Sequence, residues 1–317
     1  MQTVMNLPSP IQGDFRAIVF GSGGMLGREA VACLKQAGFE VDAPRRPAVD
    51  ILRPESIRAV LEQPDGRKGL VINCAAYTAV DRAESEPEAA FAVNRDGPAN
   101  LARECLRLGL PLVHISTDYV FDGNSVTPYR EEDAASPINV YGRSKWEGEE
   151  AVRLNLADHI IVRTSWLYGA QGANFVKTML RLGREREVLT VVSDQHGCPT
   201  WTGDLAECIA RIAVEIASQP GNVDWGTYHF CGKGITTWYD FARTIIEQGR
   251  KWEFLKVTEV KPVPTSSYPT PAARPQWSVM DCRKIGEKFG IFPPPWETSL
   301  TRMLQELRQA ETPLPGN

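Results

Sequence analysis

The chain has 317 residues, 43% of them hydrophobic, which is enough to bury the core of one large domain or two interlocked ones. Charged residues make up 23% and the formal net charge is −4, so the chain has no overall positive field that would attract nucleic acid or an anionic membrane. The seven cysteines and four histidines lack metal-ligand spacing, and scattered cysteines predict no disulfide framework and suit the cytoplasm.

Residues 1–14 read as a loose N-terminal tail. The stretch contains Pro8 and Pro10 and lacks the charged start and apolar run of a signal peptide. No run of about 18 apolar residues follows, so we expect no membrane span.

A glycine turn follows the first apolar run, residues 17–20. Its glycines, Gly21, Gly24 and Gly27, are spaced G-x-x-G-x-x-G, and a helical pattern comes next. Strand, glycine turn and helix in this order predict a dinucleotide site, because the tight turn lets a pyrophosphate approach the backbone at the helix N-terminus. The alternative is a tight connection that binds nothing.

The second predicted strand, residues 39–41, is followed by Arg45 and Arg46. In a dinucleotide-binding fold this edge meets the adenosine ribose, where an acid favours NAD and an arginine accepts a 2′-phosphate. Two arginines therefore favour NADPH over NADH, although two solvated loop charges are the alternative. Asp50 and Ile51 then precede a helix predicted over residues 54–61.

The third predicted strand, residues 70–76, is apolar and ends in two small residues. Ala75 and Ala76 would let the cofactor backbone pass close by, and ordinary tight packing is the alternative. A long helix is predicted over residues 88–108, with Asn94 as a polar residue on an otherwise apolar stripe.

Tyr141 and Lys145 are separated by one helical turn, downstream of a strand over residues 112–118 that ends in hydroxyls, among them Thr117. An ammonium group one turn away favours the phenolate and lowers the tyrosine pKa from its reference value of about 10. The pair therefore predicts a general acid. The alternative is a ring on the core beside a solvated lysine.

Alternating strands and helices, including a strand over residues 159–163, predict a Rossmann-type α/β fold with a doubly wound parallel sheet. We expect a dinucleotide-binding domain over residues 15–168, with a strand near 188–192 returning to its sheet. Residues 169–311 should form mainly a smaller, interleaved substrate domain, and residues 312–317 a tail.

Four motifs resemble the extended short-chain dehydrogenase/reductase superfamily: Gly21-x-x-Gly24-x-x-Gly27, Asn73-Cys-Ala-Ala76, Ser116-Thr117-Asp118-Tyr119 and Tyr141-x-x-x-Lys145. Within it the chain is similar to the dTDP-4-dehydrorhamnose reductase family, from residue 16 to residue 307. The segments that carry this narrower match are 77–84, 163–169, 174–181, 194–200 and Arg274-Pro275.

The resemblance implies hydride transfer from NAD(P)H to the 4-keto group of dTDP-4-dehydro-β-L-rhamnose, giving dTDP-L-rhamnose. Tyr141 would donate the proton, Lys145 would lower its pKa and bind the nicotinamide ribose, and Thr117 would polarise the carbonyl. The implied cofactor residues are Gly21, Ser22, Gly23, Gly24, Met25, Leu26, Gly27, Arg45, Arg46, Asp50, Ile51, Ala75, Ala76, Tyr77, Asn94, Tyr141 and Lys145. The implied substrate residues are Thr117, Asp118, Tyr119, Tyr141, Trp166, Asn174, Phe175, Lys177, Gln195 and Arg274, with Trp166 stacked on the sugar and Lys177 and Arg274 on the diphosphate.

Some members of the family bind magnesium between subunits through glutamates. Glu29 matches one such position, whereas Asp204 stands where a second would be sought, so we assign no metal and leave a homodimer open. The family is often tolerant of both nicotinamide forms, so the resemblance leaves NADH open as a second cofactor. Two other functions share the fold: a nucleotide-sugar epimerase or dehydratase with tightly held NAD, and a non-catalytic NADP-binding subunit like the beta subunit of methionine adenosyltransferase.

Overall fold

The computed structural model describes Ile11, residues 15–62 and residues 68–311. The tails predicted at 1–14 and 312–317 lie outside this part of the chain, apart from Ile11. Within the described residues, no helix combines the length and apolar character needed to cross a bilayer.

The described residues form short strands and helices that alternate through the first half. The strands are β1 (Arg16–Phe20), β2 (Glu40–Asp42), β3 (Gly69–Asn73), β4 (Leu112–Thr117), β5 (His159–Thr164), β6 (Leu167–Tyr168), β7 (Val188–Val192), β8 (His196–Gly197), β9 (Thr200–Trp201), β10 (Gly226–His229), β11 (Thr236–Thr237) and β12 (Glu259–Val263). The α-helices are α1 (Met25–Gln36), α2 (Pro54–Leu61), α3 (Val80–Ala83), α4 (Pro87–Phe91), α5 (Gly97–Leu108), α6 (Val140–Asn155), α7 (Phe175–Glu185), α8 (Thr202–Ser218), α9 (Trp238–Gly249), α10 (Arg283–Phe289) and α11 (Trp296–Glu311).

One six-stranded parallel sheet dominates the fold, with the strand order β10-β5-β4-β3-β1-β2. Every residue of β1, β3, β4 and β5 is buried, as expected where helices cover both faces of a sheet. The strand order reverses between β1 and β3, and ligands bind at the carboxyl ends of strands at such a switch point. The predicted doubly wound sheet is confirmed.

The two faces of β1 pack against different sets of helices. Ala17 and Val19 share a core with α1 and α8, whereas Ile18 and Phe20 share a core with α2, α5 and α6. This alternation follows from the two-residue period of a strand. The first turns of α1 and α6 lie at the carboxyl edge of the sheet, beside the end of β4.

The strand predicted at residues 188–192 exists, but it does not return to the large sheet. It pairs in parallel with β12, Val188 opposite Glu259, in a sheet of two strands. Val188 and Thr190 are exposed while Leu189 and Val191 are buried, so this strand has one apolar face and cannot serve inside a sheet covered on both sides. The sixth strand of the large sheet is β10.

Helix α8, predicted in the substrate domain, packs on α1 and contributes its apolar side to the core beneath the large sheet. A separate core joins α7, α9 and α11 with β7 and the aromatic rings around Trp238. The division of the chain at residues 168 and 169 stays a prediction, because segments on its C-terminal side contribute to both cores.

The helix predicted over residues 88–108 is interrupted. A π-helical segment, Ala92–Asp96, separates α4 from α5, which begins at Gly97 with Pro98 in its first turn. Proline lacks a backbone N–H, so the hydrogen-bond pattern changes where it enters a helix. The interruption places Asn94 in the interior, with no exposed surface.

Candidate active site

The glycine turn after β1 has no room for a side chain at Gly21 or Gly27. Gly21 has φ +78°, and a Cβ there would lie 2.4 Å from the backbone nitrogen of Ala75. A Cβ at Gly27 would lie 2.2 Å from the carbonyl oxygen of Gly21, so α1 starts directly against the turn. The Ser22 hydroxyl donates to the Ala43 carbonyl at 3.1 Å, which ties the turn to the segment after β2.

The N-terminus of α1 is open to an anion. Gly24 is its N-cap residue, no side chain caps the helix, and its first turn carries no acid. The first backbone N–H groups of a helix have no partner within it and, with the helix dipole, favour negative charge. The predicted pyrophosphate therefore fits this end of α1.

A cavity of about 520 Å³ lies beside the turn. Its lining includes the predicted residues Gly21, Ser22, Gly23, Gly24, Arg45, Arg46, Ile51, Ala75, Ala76 and Tyr77. Asp50 is outside this lining, and its carboxylate lies 3.5 Å from the Arg46 guanidinium.

Asn94 also lies outside the cavity lining, but its hydrogen bonds hold the backbone of Tyr77, which lines the cavity. Its side-chain oxygen accepts from the Tyr77 backbone N–H at 2.8 Å, and its amide donates to the Tyr77 carbonyl at 3.0 Å and to the Ser144 hydroxyl at 3.0 Å. The buried amide therefore ties the loop after β3 to the helix that carries Tyr141.

A second cavity, of about 560 Å³, shares Gly24, Cys74 and Ala76 with the first. The predicted residues that line it are Gly24, Met25, Leu26, Gly27, Ala76, Thr117, Asp118, Tyr119, Tyr141, Lys145 and Trp166. The end of β4 and the first turns of α6 thus bring the three predicted catalytic side chains to the cavity that the glycine turn borders.

Helix α6 starts at a fixed position. The Asn139 side chain accepts from the Gly142 backbone N–H at 2.7 Å and donates to the Ala273 carbonyl at 2.8 Å. A Cβ at Gly142 would lie 2.1 Å from the Tyr119 carbonyl oxygen, so glycine permits close contact between α6 and the 3₁₀ turn Asp118–Val120 that follows β4. The cap and this contact position Tyr141, whose ring meets the Tyr119 ring edge-on at 5.5 Å.

The electrostatics of Tyr141 differ from the expectation. Burial raises its pKa to about 12; the neighbouring Thr117 hydroxyl opposes the rise and Asp118 adds to it. The Lys145 ammonium group donates to the Ile115 carbonyl at 2.6 Å. The net effect on the Tyr141 pKa is therefore a rise, and its lowering by Lys145 stays a prediction.

Lys145 is 2% exposed and is itself perturbed. Burial lowers its pKa to about 8, opposed by Glu149 and Cys74. Glu149, one turn along α6, is fully buried and pairs with Arg163 at 2.8 Å, so the middle of α6 is anchored to β5.

Asp118 is a buried carboxyl at the cavity. One oxygen accepts from the Thr117 hydroxyl at 2.9 Å, and the other has no hydrogen bond of good geometry among the described residues. Burial raises its pKa to about 6; nearby hydroxyls and backbone N–H groups, the Ser278 hydroxyl first, oppose the rise.

Trp166 lines the cavity, but one face of its ring is occupied. The ring stacks on Trp238 with centroids 3.6 Å apart and planes 7° from parallel. A Cβ at Gly197 would lie 2.4 Å from the indole, so glycine makes room for it. Trp166 has φ +46°, a left-handed conformation that is rare for a bulky residue and indicates a constrained position.

The remaining predicted substrate residues lie beyond this stack. Phe175, Gln195 and Arg274 line a third cavity, of about 390 Å³, and Asn174 and Lys177 line an adjacent one. Arg274 pairs with Asp81 at 2.9 Å, and the Lys177 ammonium donates to the Ala170 carbonyl at 3.2 Å. The two predicted phosphate cations thus have protein partners.

Several lining residues gave no usable signal in the sequence. Trp238, Tyr268 and Arg186 join the third cavity from segments with no motif of their own. Ser165 in the second cavity and Asp81 in the third are exceptions, because both lie inside segments that match the family and could have been named.

Glu29 does not join a metal centre in the described part of the chain, which holds no group of three His, Cys, Asp or Glu side chains placed to bind an ion. Asp204 instead contacts Arg302 at 3.0 Å.

A parallel sheet with a glycine turn at its switch point, and a Tyr-x-x-x-Lys pair in the adjoining cavity, define a Rossmann-type reductase of the short-chain dehydrogenase/reductase class. The family model described as "RmlD substrate binding domain" matches residues 15–309. The chain belongs to this family.

Named relatives agree with that assignment. The dTDP-4-dehydrorhamnose reductase of Escherichia coli (strain K12) is 41% identical over 295 residues, covering 92% of this chain and 97% of the relative. The solved structure of the dTDP-4-dehydrorhamnose reductase of Clostridium acetobutylicum is 38% identical with a TM-score of 0.84, covering 93% and 99%. The Bacillus anthracis enzyme, solved in complex with NADP, is 37% identical with a TM-score of 0.83, covering 93% and 100%.

Proposed function

We propose that this chain is an NADPH-dependent oxidoreductase that reduces the 4-keto group of dTDP-4-dehydro-β-L-rhamnose to give dTDP-L-rhamnose. The observation that carries the proposal is the cavity in which Thr117, Tyr141 and Lys145 meet the glycine turn. The related reductases supply the identity of the sugar nucleotide.

The cofactor supplies the hydride that reduces the ketone. The chain's own residues must stabilise the negative charge that the hydride places on the substrate oxygen. Tyr141 donates a proton to that oxygen, and the Thr117 hydroxyl polarises the carbonyl. A phenol whose pKa is about 12 holds its proton at neutral pH, so Tyr141 is in the acid form that the reduction needs.

The cofactor would lie along the two cavities that share Gly24 and Ala76. Its pyrophosphate fits the open end of α1, where the absence of side chains at Gly21 and Gly27 permits close approach. Arg45 and Arg46 line the first cavity, after β2, where a 2′-phosphate would lie. These features support NADPH as the principal cofactor.

The sugar nucleotide would extend from Tyr141 into the third cavity. Trp166 borders the second cavity and Trp238 the third, so the stacked rings stand between the sugar and the rest of the nucleotide. Arg274 would turn to the diphosphate from its present partner, Asp81. We place the enzyme in the cytoplasm, where its seven free thiols would stay reduced.

Oxidation of NADPH coupled to freshly prepared dTDP-4-dehydro-L-rhamnose tests the proposal. We expect catalytic turnover with a single dTDP-L-rhamnose product, and slow or no turnover with the 4-keto D-sugar as a control. NADH in place of NADPH should support turnover at a higher KM. Saturable NADPH binding without turnover of either sugar would contradict the proposal and favour a binding subunit.

A further inference from the structure

A buried chain of polar groups runs from the cofactor cavity to the catalytic lysine. It begins at the Ala75 backbone N–H, passes through Asn73 and His114, and ends at Lys145. Asn73 and His114 have no exposed surface and Lys145 has 2%. The sequence motifs gave neither Asn73 nor His114 a role, since a buried polar residue in a strand is usually structural.

The orientation of the Asn73 amide is determined by its first partner. The Ala75 backbone N–H can only donate, and it lies 3.0 Å from the side-chain oxygen of Asn73. The amide nitrogen must therefore face His114, whose Nδ1 is 3.1 Å away. Because an amide NH₂ group can only donate, Nδ1 of His114 must accept.

The contact with Asn73 determines the tautomer of His114. Burial first, then the charge of Lys145, lowers the pKa of His114 well below its usual value, so the ring is neutral and carries one proton. With Nδ1 accepting, that proton is on Nε2. Nε2 lies 3.5 Å from the Lys145 nitrogen, so the Nε2–H group of His114 faces the side-chain nitrogen of Lys145.

We propose that His114 is a positioning residue that favours the neutral amine of Lys145, with its tautomer set by Asn73. An ammonium group has no lone pair and cannot accept from Nε2–H, whereas a neutral amine can. The opposite tautomer would suit the ammonium form, but its Nδ1–H would then face the N–H donors of Asn73.

The arrangement has a consequence for the reduction, and here the inference rests on the proposed function. As the substrate O–H bond forms, the O–H bond of Tyr141 breaks and leaves a phenolate. Lys145 lines the same cavity, and its ammonium can return a proton to that phenolate. The neutral amine of Lys145 accepts a hydrogen bond from His114 Nε2–H until water reprotonates it. The imidazole therefore makes the Lys145 ammonium a stronger acid.

Other charged groups also act on this pair. Glu149 and Cys74 raise the pKa of Lys145, while Lys145 and, more weakly, Arg153 and His159 lower that of His114. A lysine pKa of about 8 places the loss of the ammonium, and with it a fall in the rate of reduction, near that pH.

The tautomer can be read directly by long-range ¹H–¹⁵N NMR of protein labelled at histidine, without substrate or turnover. We expect His114 to show an Nε2–H tautomer that does not protonate between about pH 5.5 and 8.5. His159 and His229 are internal controls, because their Nδ1 atoms face carbonyl oxygens at 2.6 and 3.2 Å and must carry the proton. An Nδ1–H or a doubly protonated ring at His114 would overturn the inference, whether or not the enzyme reduces the proposed sugar.

Asn73→Asp adds a functional test. A carboxylate accepts from Nδ1–H, so the tautomer should reverse, Nε2 should accept from the ammonium, and the basic limb of kcat should move up by about one pH unit. If the basic limb of kcat moves while His114 keeps its proton on Nε2, the shift comes from the added charge, and the role of the tautomer is contradicted. If Asn73→Asp does not fold, the wild-type spectrum still decides.

Discussion

The choice between NADPH and NADH should depend on Arg45 more than on Arg46. Arg45 lies beside the glycine turn, with its Cδ 3.9 Å from the position that a Cβ on Gly23 would take. Among the described residues its guanidinium has no ion-pair partner. The Arg46 guanidinium lies 3.5 Å from Asp50 with 67% of its side chain exposed, so part of its charge is already balanced.

The size of the effect follows from exposure. A hydrogen bond to a charged group contributes about 1.5–3 kcal/mol, and the lower end applies here because solvent screens charges at the surface. About 1.4 kcal/mol corresponds to a tenfold change in an equilibrium constant. We therefore expect Arg45→Ala to raise KM for NADPH about tenfold and Arg46→Ala about two- to threefold. KM for NADH should change less than about twofold in both.

Initial rates with both nucleotides, at saturating sugar nucleotide and two salt concentrations, measure these values. The difference between wild type and Arg45→Ala should shrink at high salt, because ions screen exposed charges. Arg243→Ala removes an exposed arginine from α9 and serves as the matched control. Equal losses for NADPH and NADH, or a larger loss for Arg46→Ala, would refute the assignment of the 2′-phosphate to Arg45.

Three further substitutions test the site. Tyr141→Phe should lower kcat by about 10²–10⁴ while the NADPH Kd, measured by fluorescence titration, stays within about twofold; retained turnover would remove Tyr141 from the acid role. Asp118→Asn should stabilise the fold at pH 7. Because burial raises the pKa of Asp118 to about 6, its protonated form stabilises the folded state below about pH 4, near the pKa in the unfolded chain. That contribution is lost as the pH rises through about 6. Urea unfolding should give a gain of at most about 3 kcal/mol at pH 7 and little at pH 4, and a gain independent of pH would contradict this cause. Gly148→Ala should cost about 1–3 kcal/mol and lower Tm, because its Cβ would lie 1.9 Å from the Asn94 carbonyl; Gly221→Ala, with open space around it, is the control and should have the same Tm as wild type.

Local patterns in the sequence predicted most elements in the first half of the fold, although not the π-helical segment Ala92–Asp96. Strand, glycine turn and helix need only neighbouring residues, so Gly21 and Gly27 could be placed from their spacing, and the Tyr141–Lys145 pair from its helical period. The glycine turn and Thr117 follow or end strands of the sheet, and strand ends meet at one edge of any parallel sheet, so these residues could be expected near one another.

What the sequence by itself determined was the succession of strands and helices, the glycine turn and the predicted catalytic pair, because each depends on residues close together along the chain. Pairing of β7 with β12 and of β10 with the large sheet depends on contacts between distant segments, and no local pattern contains them. The same holds for the charge of the buried groups: Lys145 meets Ile115 and His114 only after α6 packs on β4. Burial, which sets the proton affinities of Tyr141 and Lys145, exists only in the folded chain.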